Sequence, residues 1–328
     1  MPPKIWLLYL ILPGRFGLLL TALVIFAVLA ALLGVTDSNG AFFSSGALFF
    51  SAMPAYIIPV FSYINRISLR AVEDLRDFLD MPEEEFQAFK SAISHKSLVW
   101  NLLVTGLGLV GGMLHLLYIR GDQLVGASHG LMRPAELLDD LGTLVVWVVM
   151  TITIFSLVEN AVRIGRLAQR LQPINLFRTD RLLPFARVAV TSCLLLIGSF
   201  ALYPLLSIDE GISVLTLLPG IVATVVPMIF MLMLPIWPAH RLIKTSKALE
   251  LAHINSGLDD LQHRQGVLPD HARVDALNRL LEHRQHIQRV PDWPLDVGVV
   301  SRLAFYLIIP PLTWIGAALI ENAVDALL

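Results

Sequence analysis

The chain alternates between long apolar runs, nearly free of charge, and polar stretches of varied length. A helix needs about 20 apolar residues to cross a bilayer. Seven runs approach or exceed that length, at residues 16–35, 42–64, 98–119, 141–158, 188–207, 212–238 and 297–320. Asp37-Ser38-Asn39-Gly40 separates the first two runs with strong turn residues and predicts a tight hairpin. A secretory signal has an apolar region of about 7–15 residues followed by a small-residue cleavage site. The first run is longer and lacks such a site, so it reads as an uncleaved helix. Residues 5–12 are apolar but short, and predict an interfacial or re-entrant segment.

Polar segments 65–96, 160–187 and 239–296 separate some of these runs, and the first and third carry helical stripes. Leu69, Val72, Leu75 and Phe78 recur at helical spacing. Asp80-Met81-Pro82-Glu83 then predicts a new helix with Asp80 as N-cap and Glu83 reaching back to it. Phe86, Phe89 and Ile93 continue its apolar stripe. Beyond residue 238 the sixth helix is expected to continue through Leu242, Ile243, Leu249 and Ile254, with a break at Ser256-Gly257 and at 266–269. A second helix then carries Val274, Leu277, Leu281 and Ile287, ending at Val290-Pro291. Such stripes need a surface to cover them: one another, a second subunit, or the lipid interface.

Composition agrees with this reading. Of the 328 residues, 56% are hydrophobic and 15% charged, against about 45–50% and about 25% in soluble domains. The position of the charge says more than its amount. Of the 24 Lys and Arg, all but Arg120 and Arg133 fall on one side of a seven-span threading. Positive charge marks the cytoplasmic side, so the N-terminus is expected inside and the C-terminus, with Glu321 and Asp325, outside. The expected fold is all-α: a single polytopic membrane domain over residues 1–328, with a cytoplasmic helical layer. A net charge of −2 gives no sign of a nucleic-acid partner. The single cysteine, Cys193, allows no internal disulfide, and no glycosylation or targeting motif is present. Those features favour a prokaryotic cytoplasmic membrane.

Candidate functional positions lie in the last two spans. Pro219, Pro227 and Pro235 recur every eight residues in span six, where each removes a backbone donor, as in gates and cavity linings. In span seven Tyr306, Thr313 and Ala317 share one face that ends at Glu321, a stripe suited to a pore or to interhelical hydrogen bonding. Gly108-x-x-x-Gly112 permits close helix approach. Arg163, Arg166 and Arg170 follow Glu159 at the inner edge of span four, where they serve as anchors, and Glu159 and Arg163 are spaced to pair. His283 and His286 lack the spacing of a metal-binding helix and read as a solvated face. No nucleotide-binding, hydrolase or kinase motif occurs, and no carboxylate lies deep in a span. No catalytic, cofactor or metal residue is therefore predicted, and no enzyme is expected.

Seven spans with the N-terminus inside resemble the seven-transmembrane ion-channel superfamily of insect odorant and gustatory receptors and their distant microbial relatives. In that family the subunits meet through an anchor layer of cytoplasmic helix ends, and a last helix split into cytoplasmic and membrane halves lines the pore. Residues 274–290 and 297–320 look like such halves, joined by Pro291-Asp292-Trp293-Pro294. The aromatic-rich pattern of the insect members' last helix is not present, and the chain is short, which points to a microbial relative. The resemblance implies a channel or receptor assembled as a homo-oligomer through its cytoplasmic helices, with an ion or ligand the sequence does not identify. A small-molecule permease and a non-catalytic membrane scaffold or sensor are the alternatives.

Overall fold

The computed structural model describes residues 3–34, 45–125, 134–171, 182–207, 214–263 and 270–294, and beyond these residues 298, 301, 303–306 and 308–309. Within the described residues the chain is all-α. Its helices are α1 (Gly17–Gly34), α2 (Ser45–Asp74), α3 (Glu83–Ser94), α4 (Leu98–Val125), α5 (Pro134–Leu167), α6 (Leu183–Ala201), α7 (Val214–His263) and α8 (Asp270–Arg289). Among those residues extended pairing is confined to two isolated bridges, Lys4 with His95 and Leu79 with Leu171.

Five helical stretches are long and apolar enough to cross a membrane: Ser45–Phe78, Leu98–Tyr118, Leu137–Arg170, Leu183–Leu206 and Thr224–Leu261. They correspond to the second through sixth apolar runs. The first run forms α1, whose apolar part Gly17–Leu33 is shorter. At 1.5 Å per residue its 17 residues reach about 26 Å, just under the hydrocarbon thickness of about 30 Å. The seventh run lies mostly outside the described residues, and residues 303–306 within it are helical.

α2 and α5 form the centre. α2 packs on α1, α5 and α6; α5 packs also on α4 and α7; α6 lies against α7. Phe49, Met53, Ile57, Phe61 and Ile64 of α2 lie one turn apart and meet Val149 and Ile152 of α5 and Leu196 of α6 in one cluster. Of α2's apolar stretch 72% is buried, of α4's only 22%. α4 turns Leu102, Leu103, Val110, Met113, Leu114 and Leu117 outward, each more than half exposed. A soluble protein rarely presents so continuous an apolar face. Lipid is the solvent that suits it, and the chain is an integral membrane protein.

Small residues set how closely these helices approach. A Cβ on Gly108 would lie 2.8 Å from Val148 Cα, and one on Gly112 would lie 2.9 Å from Leu144 Cδ2, so α4 docks on α5 nearly backbone to backbone. Two further contacts of this kind are not marked by any glycine pair in the sequence. Gly165 admits the Leu234 carbonyl of α7, 2.5 Å from where a Cβ would stand. Gly198 leaves room for the Tyr56 hydroxyl, which donates to the Leu194 carbonyl at 3.4 Å.

A second cluster caps one end of the bundle. Val72 of α2 and Leu75 just after it, Phe86 and Ile93 of α3, Ile164 and Leu167 of α5, Phe185 of α6, Ile243 and Ile254 of α7 and Ile287 of α8 pack together. The amphipathic stripes of the polar segments thus cover one another within the chain. Three stripe positions differ: Leu249, Val274 and Leu281 are 67%, 49% and 38% exposed.

Local departures from expectation have simple causes. α7 runs through Ser256-Gly257 without a break to His263. A helical glycine costs only about 1 kcal/mol relative to alanine, and Gly257 faces α8, where a Cβ on it would stand 3.5 Å from Leu280. Asp80 does not cap α3: the helix begins at Glu83 after Pro82, and the Asp80 N–H donates to the Arg170 carbonyl. Glu83 instead binds Arg76 and Gln87. The N-terminal segment forms a 3-10 turn, Trp6–Leu10, and inserts Ile5 and Leu7, both fully buried, into the core.

Gly108→Ala should lower the thermal midpoint in detergent by an amount equivalent to about 1–3 kcal/mol, the usual cost of overpacking. Gly106, with open space where its Cβ would stand, is the internal control. Gly106→Ala should leave the midpoint unchanged or raise it.

Candidate functional site

Where α2, α3, α4 and α5 converge, the apolar packing gives way to polar side chains. Along α5, Thr153, Ser156 and Asn160 are three, four and seven residues apart, which puts them on one face. Along α2, Asn65 and Ser68 are one turn apart. All five are buried, at 3% exposure or less. Asn160 Nδ2 donates to Asn65 Oδ1 and to the Ile93 carbonyl, both at 3.3 Å, so one amide ties α5 to α2 and to the end of α3. Ser97 Oγ caps the start of α4 by accepting from the Trp100 N–H at 3.1 Å, and Asn101, also buried, donates to the Ser97 carbonyl at 3.1 Å.

An ion-pair cluster terminates this seam. The Lys96 ammonium lies 3.0 Å from Glu159 Oε2, although Lys96 is only 4% exposed. Glu159 Oε1 accepts from Arg163 Nε and Nη2 at 3.0 and 2.7 Å, the pairing expected from their spacing. The Trp100 ring lies beside the ammonium, 5.6 Å from its centroid. The Lys96 N–H donates to the Pro3 carbonyl and the Ile5 N–H to the Ser94 carbonyl, so the N-terminal segment covers the same corner. Burial depresses the Lys96 pKa below the ordinary lysine value, and the Glu159 carboxylate opposes that shift.

A second polar junction joins α7 to the end of α8. Lys247 Nζ donates to the Val290 carbonyl at 3.0 Å and to Asp292 Oδ1 at 2.8 Å, placing a cation at the negative end of α8. His240 Nδ1 is 2.7 Å from the Asp292 carbonyl, and its ring stacks on Trp293 at 4.0 Å and 15°. Trp237 meets Trp293 edge-on, and Arg241 lies over Trp237. His283 contacts Glu250 of α7 at 3.1 Å. The linker Pro291-Asp292-Trp293-Pro294 is therefore clamped against α7. Hydrogen bonding to Lys247 holds the Asp292 carboxyl below its usual range.

Those candidate pore, cavity and packing positions that are among the described residues take no part in the hydrogen bonds or ion pairs of either centre. Pro227 is half-buried and Pro235 buried in α7; Pro219 lies in the same helix, its surroundings outside the described residues. At about 100° per residue, eight residues turn the helix by about 80°, so the three prolines do not share a face. Tyr306 is helical and 45% exposed, beside the exposed Phe305 and Ile308. Thr313, Ala317 and Glu321 lie outside the described residues. Gly108 and Gly112 stand at the α4–α5 contact. The sequence reading does not single out the seam residues, although Thr153-x-x-Ser156-x-x-x-Asn160 and Asn65-x-x-Ser68 place polar positions at helical spacing at or just beyond the ends of the fourth and second apolar runs.

Chemically the seam offers neutral hydrogen-bond donors and acceptors with a net positive cluster at one end. It presents no paired carboxylates and no nucleophile beside a base. Among the described residues no three His, Cys, Asp or Glu side chains gather to hold a metal ion.

Glu159→Gln would leave the buried Lys96 without its counter-charge. Removing one partner of a buried pair costs about 3–5 kcal/mol; with the Glu159 side chain 30% exposed, the low end, about 3 kcal/mol, is expected. Thermal unfolding measures it, and Lys96→Met combined with Glu159→Leu should recover most of the loss. At the second junction the lowered Asp292 pKa fixes the sign of the pH effect. Its contribution is complete above the free value of 3.8 and fades as pH falls through a still lower value. Proteolysis of the 290–294 linker should accelerate in that acid range, and Asp292→Asn should make the rate independent of pH there.

Set against known protein families, curated proteins and solved structures, the chain matches none of them.

Proposed function

We propose that the chain is a seven-span membrane protein of channel or receptor type, N-terminus inside and C-terminus outside, that acts as a homo-oligomer joined through its cytoplasmic helices. The observation that carries this reading is the continuity of α7. It runs 50 residues from the apolar bundle into the polar layer, where α8 folds back onto it. The clamp of Lys247, His240 and Trp293 then directs the chain towards the last apolar run. A movement of the polar layer would be transmitted along one rigid helix and through one fixed linker to the final span.

Exposed Leu249, Val274 and Leu281 on α7 and α8 supply apolar positions for a neighbouring copy. The distribution of Lys and Arg supports the orientation, and the composition suits a prokaryotic cytoplasmic membrane. A permease is the second reading, favoured by the buried polar seam between α2 and α5. We propose no catalytic role.

Cys193 is the only cysteine and is fully buried, so the natural chain is a quiet background for labelling. With an impermeant maleimide, Ser128→Cys should react from outside intact cells and Ser256→Cys only in inverted vesicles; the opposite pattern overturns the orientation. Purified protein in nanodiscs should form particles heavier than one chain and conduct in planar bilayers. A monomer that is silent across voltage and pH sinks the channel reading. Substrate uptake by the same proteoliposomes without conductance would establish the permease instead.

A further inference from the structure

Among the described residues two groups of buried or partly buried hydroxyls contrast. Thr21, Ser51, Thr143, Thr191, Ser192 and Ser199 each donate to the carbonyl four residues earlier on their own helix, at 2.6–3.0 Å. That is the usual way for a hydroxyl to be satisfied in a membrane helix. Ser68, Thr153 and Ser156 do not follow it: each is at most 1% exposed and its oxygen has no hydrogen-bond partner. The two amides beside them are half satisfied. Asn65 accepts through Oδ1 while its Nδ2 is unpartnered, and Asn160 donates through Nδ2 while its Oδ1 is unpartnered. Asn101 Oδ1, also buried, is unpartnered as well.

Orphaned atoms of this kind are costly. Each buried polar group without a partner loses about 1–3 kcal/mol, and native proteins carry few of them. Here six collect in one region, on the facing polar sides of α2 and α5 and at the start of α4. Three are hydroxyls able to donate or accept, one is a donor and two are acceptors. None of the six belongs to an ionisable side chain. Free metal cations are disfavoured by the missing carboxylates and by the net positive Lys96–Glu159–Arg163 cluster at the seam's end. A full anion is disfavoured by the two unpartnered carbonyl oxygens. What fits is a neutral molecule that donates and accepts equally.

We propose that the α2–α5 seam is a binding site for small uncharged hydrogen-bonding molecules, either a file of bound waters or an amide- or alcohol-sized solute on part of its length, contacting in turn Thr153, Ser156, Asn160, Asn65 and Ser68 along about 15 Å of the two helices. Bound water commonly makes about three hydrogen bonds to such otherwise unpaired groups. The site needs only the packing of α2 on α5, so it stands whether or not the protein conducts.

The sign of a stability change tests it. In an empty seam, Thr153→Val and Ser156→Ala remove an unpaired polar atom and leave the thermal midpoint unchanged or higher. In an occupied seam they remove a ligand contact and lower it. Ser192→Ala, on α6, is the control for deleting a self-satisfied buried hydroxyl. Both seam variants should melt below wild type by more than this control does.

Radiolytic hydroxyl labelling of the wild-type protein in nanodiscs supplies a readout that needs no variant. Ile64 and Ile152, neighbours in sequence of Asn65 and Thr153 and fully shielded from bulk solvent, should be oxidised by radicals generated on neighbouring bound water, whereas Leu195 of α6, equally buried, should not. Millimolar acetamide distinguishes the two ligands. A midpoint raised in wild type but not in Ser156→Ala identifies a solute site; no shift, with seam labelling, identifies water. Unchanged or raised midpoints in both seam variants, or an unlabelled seam unresponsive to acetamide, overturn the proposal.

Discussion

A lysine ammonium 4% exposed and 3.0 Å from one carboxylate is the constraint around which one end of the bundle is organised. At an effective dielectric of about 20, two charges at that separation attract by about 5 kcal/mol. Desolvating the two ions costs several kcal/mol each. Coulomb attraction alone therefore does not hold Lys96 where it is. The difference is met by what surrounds it: two Arg163 donors on Glu159, the Trp100 face beside the ammonium, and the N-terminal segment over the backbone. The pair contributes less as net stability than as a fixed register, because one arrangement of α3, α4, α5 and the N-terminal segment satisfies all of these groups together.

That register links the two packing layers. Asn160 is one residue beyond Glu159 and points instead to Asn65 and the Ile93 carbonyl. Two neighbouring residues of α5 thus hold the α3–α4 connection on one side and α2 on the other. Above them the bundle is held by apolar knobs and glycine contacts. Below them the amphipathic stripes close on one another around Phe86, Ile164 and Ile243. Hydrocarbon gives no hydrophobic drive for helices to associate, so close backbone contact at Gly108, Gly112 and Gly198 has to supply it through dispersion. In the polar layer water restores that drive, and larger side chains such as Phe86 and Phe185 take over.

The sequence was most legible where one physical rule dominates. Uncharged runs of sufficient length became helices because backbone groups in lipid must be satisfied within the segment, and the prolines at 54 and 59 did not interrupt α2. Glu159 and Arg163 paired because four residues bring them to the same face. Boundaries were less legible. Gly257 resembled a stop, yet packing of α7 against α8 outweighs a propensity cost of about 1 kcal/mol. Asp80 resembled a cap, yet its backbone is engaged by Arg170, far away in sequence. The ion pair of Lys96 was hidden for the same reason: its partner is on another helix, and no spacing rule reaches that far. The candidate face of span seven lies largely beyond the described residues, so its geometry adds nothing to the sequence reading.

The polar seam was within reach of sequence reasoning but carries little weight there. One serine or threonine in an apolar helix is unremarkable, since it can bond to its own backbone, and six in this chain do so. Periodicity alone cannot separate those from Thr153 and Ser156, because both kinds lie on buried faces. The difference arises only when two helices meet. On α6, Ser192 and Ser199 lie among apolar neighbours and turn back to their own carbonyls. On α5 the hydroxyls share a face with Asn160, which binds Asn65, the one amide of α2, and two amides in an apolar setting need more partners than one another can provide. A polar stripe in one span is therefore a weak sign, whereas two facing stripes with unmatched donors and acceptors define a place where a further molecule belongs.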